Sequence, residues 1–139
     1  MKVVIDTNVL LISLPKISKY RPIFDGLLRS KFTLAMSNEI LQEYLEIIGQ
    51  KTTSEISVNV AKLLVKLENV EKTQIYFRWN LISKDPNDNK FVDCAVATGA
   101  KYLVSNDKDF KILSTIGFPP IKVINTDKFL EELNLLIRS

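Results

Sequence analysis

Lys2-Val3-Val4-Ile5-Asp6-Thr7-Asn8 is the stretch on which the fold turns. Three successive β-branched residues favour an extended chain. The run does not alternate with polar residues, so it reads as a strand covered on both faces, as strands of parallel sheets are. Comparable short runs occur at 33–36, Tyr102–Val104 and 121–124, and a further strand is assigned to 74–77. The runs at Lys2–Ile5 and 121–124 are both read as buried on two sides.

Between the runs the apolar spacing turns helical. Helices are predicted over 22–28, 38–48, 55–67 and 90–98, with Ser37 or Asn38 as N-cap of the second and Gly99 near the end of the fourth. In 55–67, Ile56, Val60, Leu63, Leu64 and Leu67 share one face. Thr126 is read as the cap of a last helix carrying Phe129, Leu130, Leu133, Leu136 and Ile137. Alternating strands and helices predict an α/β fold, a three-layer α/β/α sandwich around a central parallel sheet. In such sheets, sites form beyond the carboxyl ends of the strands. The turn-rich segment 82–89 is read as a loop, and residues 1–139 as a single domain.

Composition narrows the chemistry. The chain has 139 residues, 19 basic and 16 acidic, for a net charge of +3. It contains no histidine and one cysteine, Cys94. Ser-His-Asp and Cys-His nucleophile pairs, histidine general bases and cysteine-ligated zinc are therefore excluded, as is an intrachain disulfide. The four glycines are too far apart for a Walker A loop or a dinucleotide fingerprint. No apolar run approaches the roughly 20 residues of a membrane span, and the N-terminus lacks a signal-peptide pattern. The expected location is a reducing cytoplasm.

What remains is carboxylate chemistry. Asp6 directly follows the first strand, and Asp107 and Asp109 follow Tyr102-Leu103-Val104-Ser105-Asn106. Each has an alternative reading as a turn or helix-cap residue. Parallel neighbours lie about 4.8 Å apart, so carboxylates at their ends can share a metal. Asp93 sits in Phe91-Val92-Asp93-Cys94-Ala95-Val96-Ala97, the sole charge between Phe91 and Ala100. Such a carboxylate needs a partner, a metal or a route to solvent. Glu43 is the acid nearest the apolar arc of its helix; its alternative is a solvated surface charge. Packed carboxylates repel and raise one another's pKa. Cations relieve this, and all-oxygen ligands select Mg²⁺ or Mn²⁺. Two such ions serve in-line phosphodiester cleavage, which requires no histidine.

The ordered set resembles the PIN-domain ribonucleases, and within them the VapC-like toxin components of toxin–antitoxin pairs. The resemblance rests on Val4-Ile5-Asp6-Thr7-Asn8, Ser37-Asn38-Glu39-Ile40 with Glu43, Asp88-Asn89-Lys90-Phe91 leading to Asp93 and Ala95, and Val104-Ser105-Asn106-Asp107-Lys108-Asp109-Phe110. It implies an acidic quartet of Asp6, Glu43, Asp93 and Asp107. Asp6, Asp93 and Asp107 would bind metal directly, and Glu43 directly or through water. Ser105 resembles the family's hydroxyl residue beside the metal, and Asn8 its polar neighbour. Asp109 stands as a substitute for Asp107 or an addition to it. Asp88 and Asn89 are read as caps of the following helix, with substrate contact as the alternative. The resemblance further implies Mg²⁺- or Mn²⁺-dependent cleavage of RNA, a homodimer, and a small antitoxin whose C-terminal segment covers the acidic cleft.

For the substrate, Lys84, Lys90 and Lys108 flank the acids in sequence and are candidate phosphate contacts, with Lys16, Lys19 and Arg21 after the first strand. Tyr20 and Trp79 are candidates for stacking on bases, while Phe77 is assigned to the core. The alternative function is a catalytically silent PIN-like adaptor for RNA or protein. A phosphatase of the aspartyl-phosphate type would need a second Asp two residues after Asp6, and position 8 is Asn.

Overall fold

A computed structural model describes residues 1–82 and 84–138, the side chains of Ile137 and Arg138 excepted. Position 83 of the expected 82–89 loop and the Ile137 side chain of the last helix thus lie outside the described residues. The elements run β1 (Lys2–Ile5), α1 (Thr7–Ser13), α2 (Arg21–Leu28), β2 (Thr33–Ser37), α3 (Asn38–Lys51), α4 (Ser54–Lys66), β3 (Val70–Thr73), α5 (Asn89–Thr98), β4 (Tyr102–Val104), β5 (Val123–Ile124) and α6 (Thr126–Arg138). Short 3₁₀ turns occupy Pro86–Asp88 and Lys108–Thr115. The strands form one parallel sheet in the order β3-β2-β1-β4-β5, flanked by helices in the expected three-layer α/β/α arrangement. No helix among the described residues is long and apolar enough to cross a membrane.

β1 is the middle strand. Val3, Val4 and Ile5 have no exposed surface, as the unbroken β-branched run predicts. Burying each such side chain contributes roughly 1.5–3 kcal/mol. On one side Val3, Val4 and Ile5 pair with Tyr102, Leu103 and Val104; on the other, Lys2 and Val3 pair with Thr33 and Leu34. The Asp6 N–H extends the ladder by donating to the Val104 carbonyl at 3.0 Å, so the ends of β1 and β4 are level.

Four expectations are corrected. The strand assigned to 74–77 lies earlier, at β3, where Leu34–Ser37 pair with Val70–Thr73. Pairing stops at Thr73 because β2 ends there and α3 begins, leaving 74–77 no partner. The fourth run is not buried on both faces: Lys122 is exposed, Ile121 and Val123 are half-buried, and only Ile124 is buried, in a two-residue edge strand, β5. Thr126 does not cap α6; the Asn125 side chain accepts from the Lys128 N–H at 2.8 Å, and Thr126 is the first helical residue. The helix α1 was not anticipated, because its inward residues Val9 and Leu10 are followed directly by Leu11 and Ile12, which blurs the helical spacing.

Two helices, α3 and α5, start at the sheet's carboxyl end, α5 directly after Asp88. α3 begins at Ser37, whose hydroxyl accepts from the Ile40 N–H at 3.3 Å, and it buries Ile40, Tyr44 and Ile48. The Tyr44 hydroxyl donates to the Ile5 carbonyl, tying α3 to the last residue of β1. α5 runs opposite to the strands: Lys2, at the amino end of β1, reaches the Thr98 carbonyl at 3.1 Å. The start of α5 therefore lies at the carboxyl end of the sheet. Gly99 ends it with φ +64°, a conformation that costs other residues energy.

Replacing Tyr44 by Phe removes a buried donor and leaves the side-chain volume nearly unchanged. The expected loss is about 1–2 kcal/mol of unfolding free energy, read from urea denaturation.

Candidate metal centre

The carboxyl end of β1 presents Asp6, which is 6% exposed. Its Oδ2 accepts from the Ser105 hydroxyl at 2.7 Å, and Ser105 Oγ in turn accepts from the Asp107 N–H at 3.0 Å. Ser105 is itself buried at the end of β4. The hydroxyl thus links the ends of β1 and β4 and fixes the chain leading to Asp107.

Asp107 caps the 3₁₀ turn Lys108–Thr115, its Oδ1 accepting from the Asp109 N–H at 2.9 Å. Oxygens of Asp88, Asp107 and Asp109 all lie within 4.8 Å of one another. Asp88 Oδ2 is buried and has no hydrogen-bond partner. Burial pushes the Asp88 carboxyl up to about 7, with Asp85, Asp6, Asp107 and Asp109 adding to the shift. Burial also raises Asp6; the Ser105 hydroxyl pulls it back, and the Asp107 and Glu43 carboxylates push it further up. Asp6, Glu43, Asp88, Asp107 and Asp109 therefore share one field, although they come from distant parts of the chain.

Glu43 is held on both oxygens. Thr7 Oγ1 donates to Oε2, and Lys90 Nζ lies 2.8 Å from Oε1. Lys90 is therefore engaged inside the centre and is not a free phosphate contact at its rim.

Asp93 is elsewhere. Its Oδ1 accepts from the Trp79 N–H at 2.9 Å, and its Oδ2 is buried without a partner. Burial raises its pKa; the Trp79 N–H and the Arg78 guanidinium lower it, and Glu39 raises it. Arg78 pairs with Glu39 at 2.7 Å, so Asp93 belongs to the contact between α5 and the 78–79 backbone. α5 leads into a parallel strand and so starts at the sheet's carboxyl end, where Asp88 shares the field of Asp6, Asp107 and Asp109. Asp93, five residues on and about 7.5 Å further along the axis, faces the 78–79 backbone instead. The alternation of strands and helices gives this direction and marks Asp88, which the sequence reading assigns to capping. Neither neighbour caps α5: Asp85 caps the 3₁₀ turn Pro86–Asp88, accepting from the Asn87 N–H at 3.1 Å, and the Asn89 side chain bonds the Ile82 N–H and carbonyl, both at 2.9 Å, outside the helix. Asp88 makes no side-chain cap bond.

Asn8 is exposed near the start of α1. Lys84 and Lys108 line a cleft together with Lys111, Leu81, Ile82, Ile112 and Asp109. Lys19 and Tyr20 are engaged with Asp127, and Arg21 with Asp25. Phe77 is not in the core: it is 63% exposed and packs edge-on against Trp79, which meets Phe118 in the same way.

The family model described as the PIN domain matches residues 2–109. Among solved structures, a chain of VapBC2 from Rickettsia felis, bound to a DNA fragment from its promoter, is similar over 90% of this chain and 98% of that one, with 18% identity and a TM-score of 0.62. VapC20 of Mycobacterium tuberculosis, a toxin that cleaves the sarcin–ricin loop, is similar over 86% and 98%, with 15% identity and a TM-score of 0.59. The PIN-domain endonuclease Utp24 is similar over 89% and 84%, with 22% identity and a TM-score of 0.52. At these identities the likeness is one of fold. No curated protein matches significantly.

The raised Asp88 pKa has a sign that can be measured. The folded protein takes up a proton below about pH 7 that the unfolded chain holds only below its ordinary 3.8. This group therefore lowers stability at and above neutral pH, and the penalty fades as pH falls from 7 towards 4. In EDTA at pH 7.5, Asp88→Asn should raise stability by about 1 kcal/mol after solvent screening, a melting shift of roughly 2–5 °C. At pH 4 the gain should vanish.

Proposed function

The chain belongs to the PIN-domain family, and on that premise we propose that it is a divalent-metal-dependent endoribonuclease, the toxin of a toxin–antitoxin pair. The observation that carries this reading is the convergence of Asp88, Asp107 and Asp109 beside buried Asp6 at the carboxyl ends of β1 and β4.

The donor set fits a hard cation. All donors are oxygens, which suits Mg²⁺ or Mn²⁺ and disfavours zinc or copper. The buried, unpartnered Oδ2 of Asp88 is a position that such an ion satisfies. Asp88, Asp107 and Asp109 would hold it, with Asp6 adjacent; the role first assigned to Asp93 passes to Asp88. A bound ion supplies Lewis acidity that activates water and offsets charge on the phosphodiester.

The chain's own residues do the rest. Ser105 orients Asp6 through its hydroxyl, and the Asp109 N–H orients Asp107. Thr7 and Lys90 hold Glu43. Lys84 and Lys108, joined by Lys111, offer positive charge along a cleft that Asp109 also lines, as a phosphodiester backbone approaching an acidic centre requires. The products would carry 5′-phosphate and 3′-hydroxyl ends. Residues 1–139 would act as one unit in the cytoplasm, as a homodimer. A small antitoxin would cover the acidic centre with its C-terminal segment; the fold shared with VapBC2 and VapC20 supports this partner.

Single-stranded RNA should be cut in Mn²⁺ and left intact in EDTA. Asp6→Asn, Asp88→Asn and Asp107→Asn should each slow cleavage by roughly 100-fold or more, and Asp93→Asn by less than about 10-fold. Full cutting by Asp88→Asn and Asp107→Asn proteins would show that the acids serve another purpose. In a separate measurement, Lys84→Ala, Lys108→Ala and Lys111→Ala should weaken RNA binding across sequences and each reduce the salt slope by up to about 1.

A further inference from the structure

The acids of the centre fall into two groups with different surroundings. Asp88, Asp107 and Asp109 approach one another with no basic side chain in ion-pair contact among the described residues. Glu43, which adds to the field at Asp6, already has a cation. Lys90 Nζ is 2.8 Å from Oε1, and the Thr7 hydroxyl takes Oε2. Both carboxylate oxygens are thereby engaged.

Lys90 is also firmly placed. Its side chain is 16% exposed and that of Glu43 23%, so the pair is shielded from bulk water. It stands in the first turn of α5, where the Asn89 side chain bonds the Ile82 N–H and carbonyl at 2.9 Å each. A lysine on a rigid, half-buried helix start cannot swing away as a surface lysine does. Separating a shielded pair leaves an uncompensated charge, so a divalent ion reaching Glu43 must displace an ammonium that is expensive to displace.

We propose that Lys90 is a resident cation of the centre: its ammonium takes the place of a second metal at the Glu43 end and restricts the protein to one divalent ion, held at the Asp88–Asp107–Asp109 end. The inference rests on the metal-binding reading of the acidic centre and deepens it. It makes Lys90 a positioning residue for Glu43 and removes it from the phosphate contacts. It also gives the centre a fixed positive charge beside Glu43 whether or not an ion is bound.

The test counts bound ions rather than activity. Mn²⁺ is titrated into the full chain and followed by calorimetry and by electron paramagnetic resonance. Wild type and Lys90→Arg, which keeps the charge, should each bind one ion. Lys90→Gln, which frees the Glu43 carboxylate beside Asp6, should bind two. Lys90→Gln combined with Glu43→Gln should return to one. Glu43→Gln alone should still bind one, and this count with the wild-type count stands even if Lys90→Gln does not fold. Two ions in the wild type, one ion in folded Lys90→Gln, or loss of the ion in Glu43→Gln overturns the role of Lys90 and leaves the metal reading intact. No bound ion in any protein overturns both.

Discussion

The hydrogen bond from Ser105 to Asp6 is the contact on which the centre depends. A carboxylate at the end of a fully buried central strand is costly unless its oxygens are satisfied. Ser105 satisfies Oδ2 from the neighbouring strand, and the same hydroxyl accepts from the Asp107 N–H. One side chain thus sets the Asp6 rotamer and the exit path of β4 together. The two strand ends can meet this way because β1 and β4 are adjacent, parallel and level, with the Asp6 N–H still on the Val104 carbonyl. The sheet order also places the centre where it reverses: the chain runs outward from β1 to β2 and β3, then returns through α5 to β4 on the other side of β1. Such switch points open a crevice at the carboxyl edge.

The strands that build this frame were legible because their signal is local. Three β-branched residues in a row at β1 and the apolar run at β4 leave few alternatives to a covered strand. The acids directly after them inherit their position from the strands, so Asp6, Asp107 and Asp109 could be placed before any coordinates. Residues whose position depends on an element's direction were harder. Asp93 stands out because it is the lone charge between Phe91 and Ala100, and it is indeed 2% exposed. Burial alone does not say what a residue faces. Its partner is the Trp79 N–H, supplied by an irregular segment whose path no periodicity reports. Of the edge elements, β5 falls within the run read as a strand, whereas β3, Val70-Glu71-Lys72-Thr73, has no apolar pattern of its own and exists because β2 offers a ladder to join.

Charge balance explains how so many acids coexist. Asp6 has a neutral donor, Glu43 has an ammonium and a hydroxyl, and Asp107 has a backbone N–H. Asp88 has neither donor nor cation at its buried Oδ2, and it is the carboxyl pushed up to about 7. The protein therefore compensates the acids at the sheet edge and leaves the compensation of one corner incomplete. That corner lies at the start of α5, whose helix dipole favours a negative group but contributes only a few tenths to about 1 kcal/mol. The imbalance left over is larger than a dipole removes.

Cap and ligand, which stood as competing assignments for Asp107, turn out to be compatible. A carboxylate has two oxygens, and the Asp109 N–H occupies Oδ1 alone. The cap bond fixes the plane of the Asp107 carboxylate and leaves the second oxygen to be directed at the Asp88 and Asp109 oxygens. The spacing of two residues makes this possible: it supplies the capping N–H and a further carboxylate from the same turn. An acid free to rotate loses entropy when it binds an ion, whereas one held by its own turn has lost that freedom on folding. The same logic applies at Glu43, held by Thr7 and Lys90. Local capping is how this chain builds an ordered acidic centre without the histidines that elsewhere orient metal ligands.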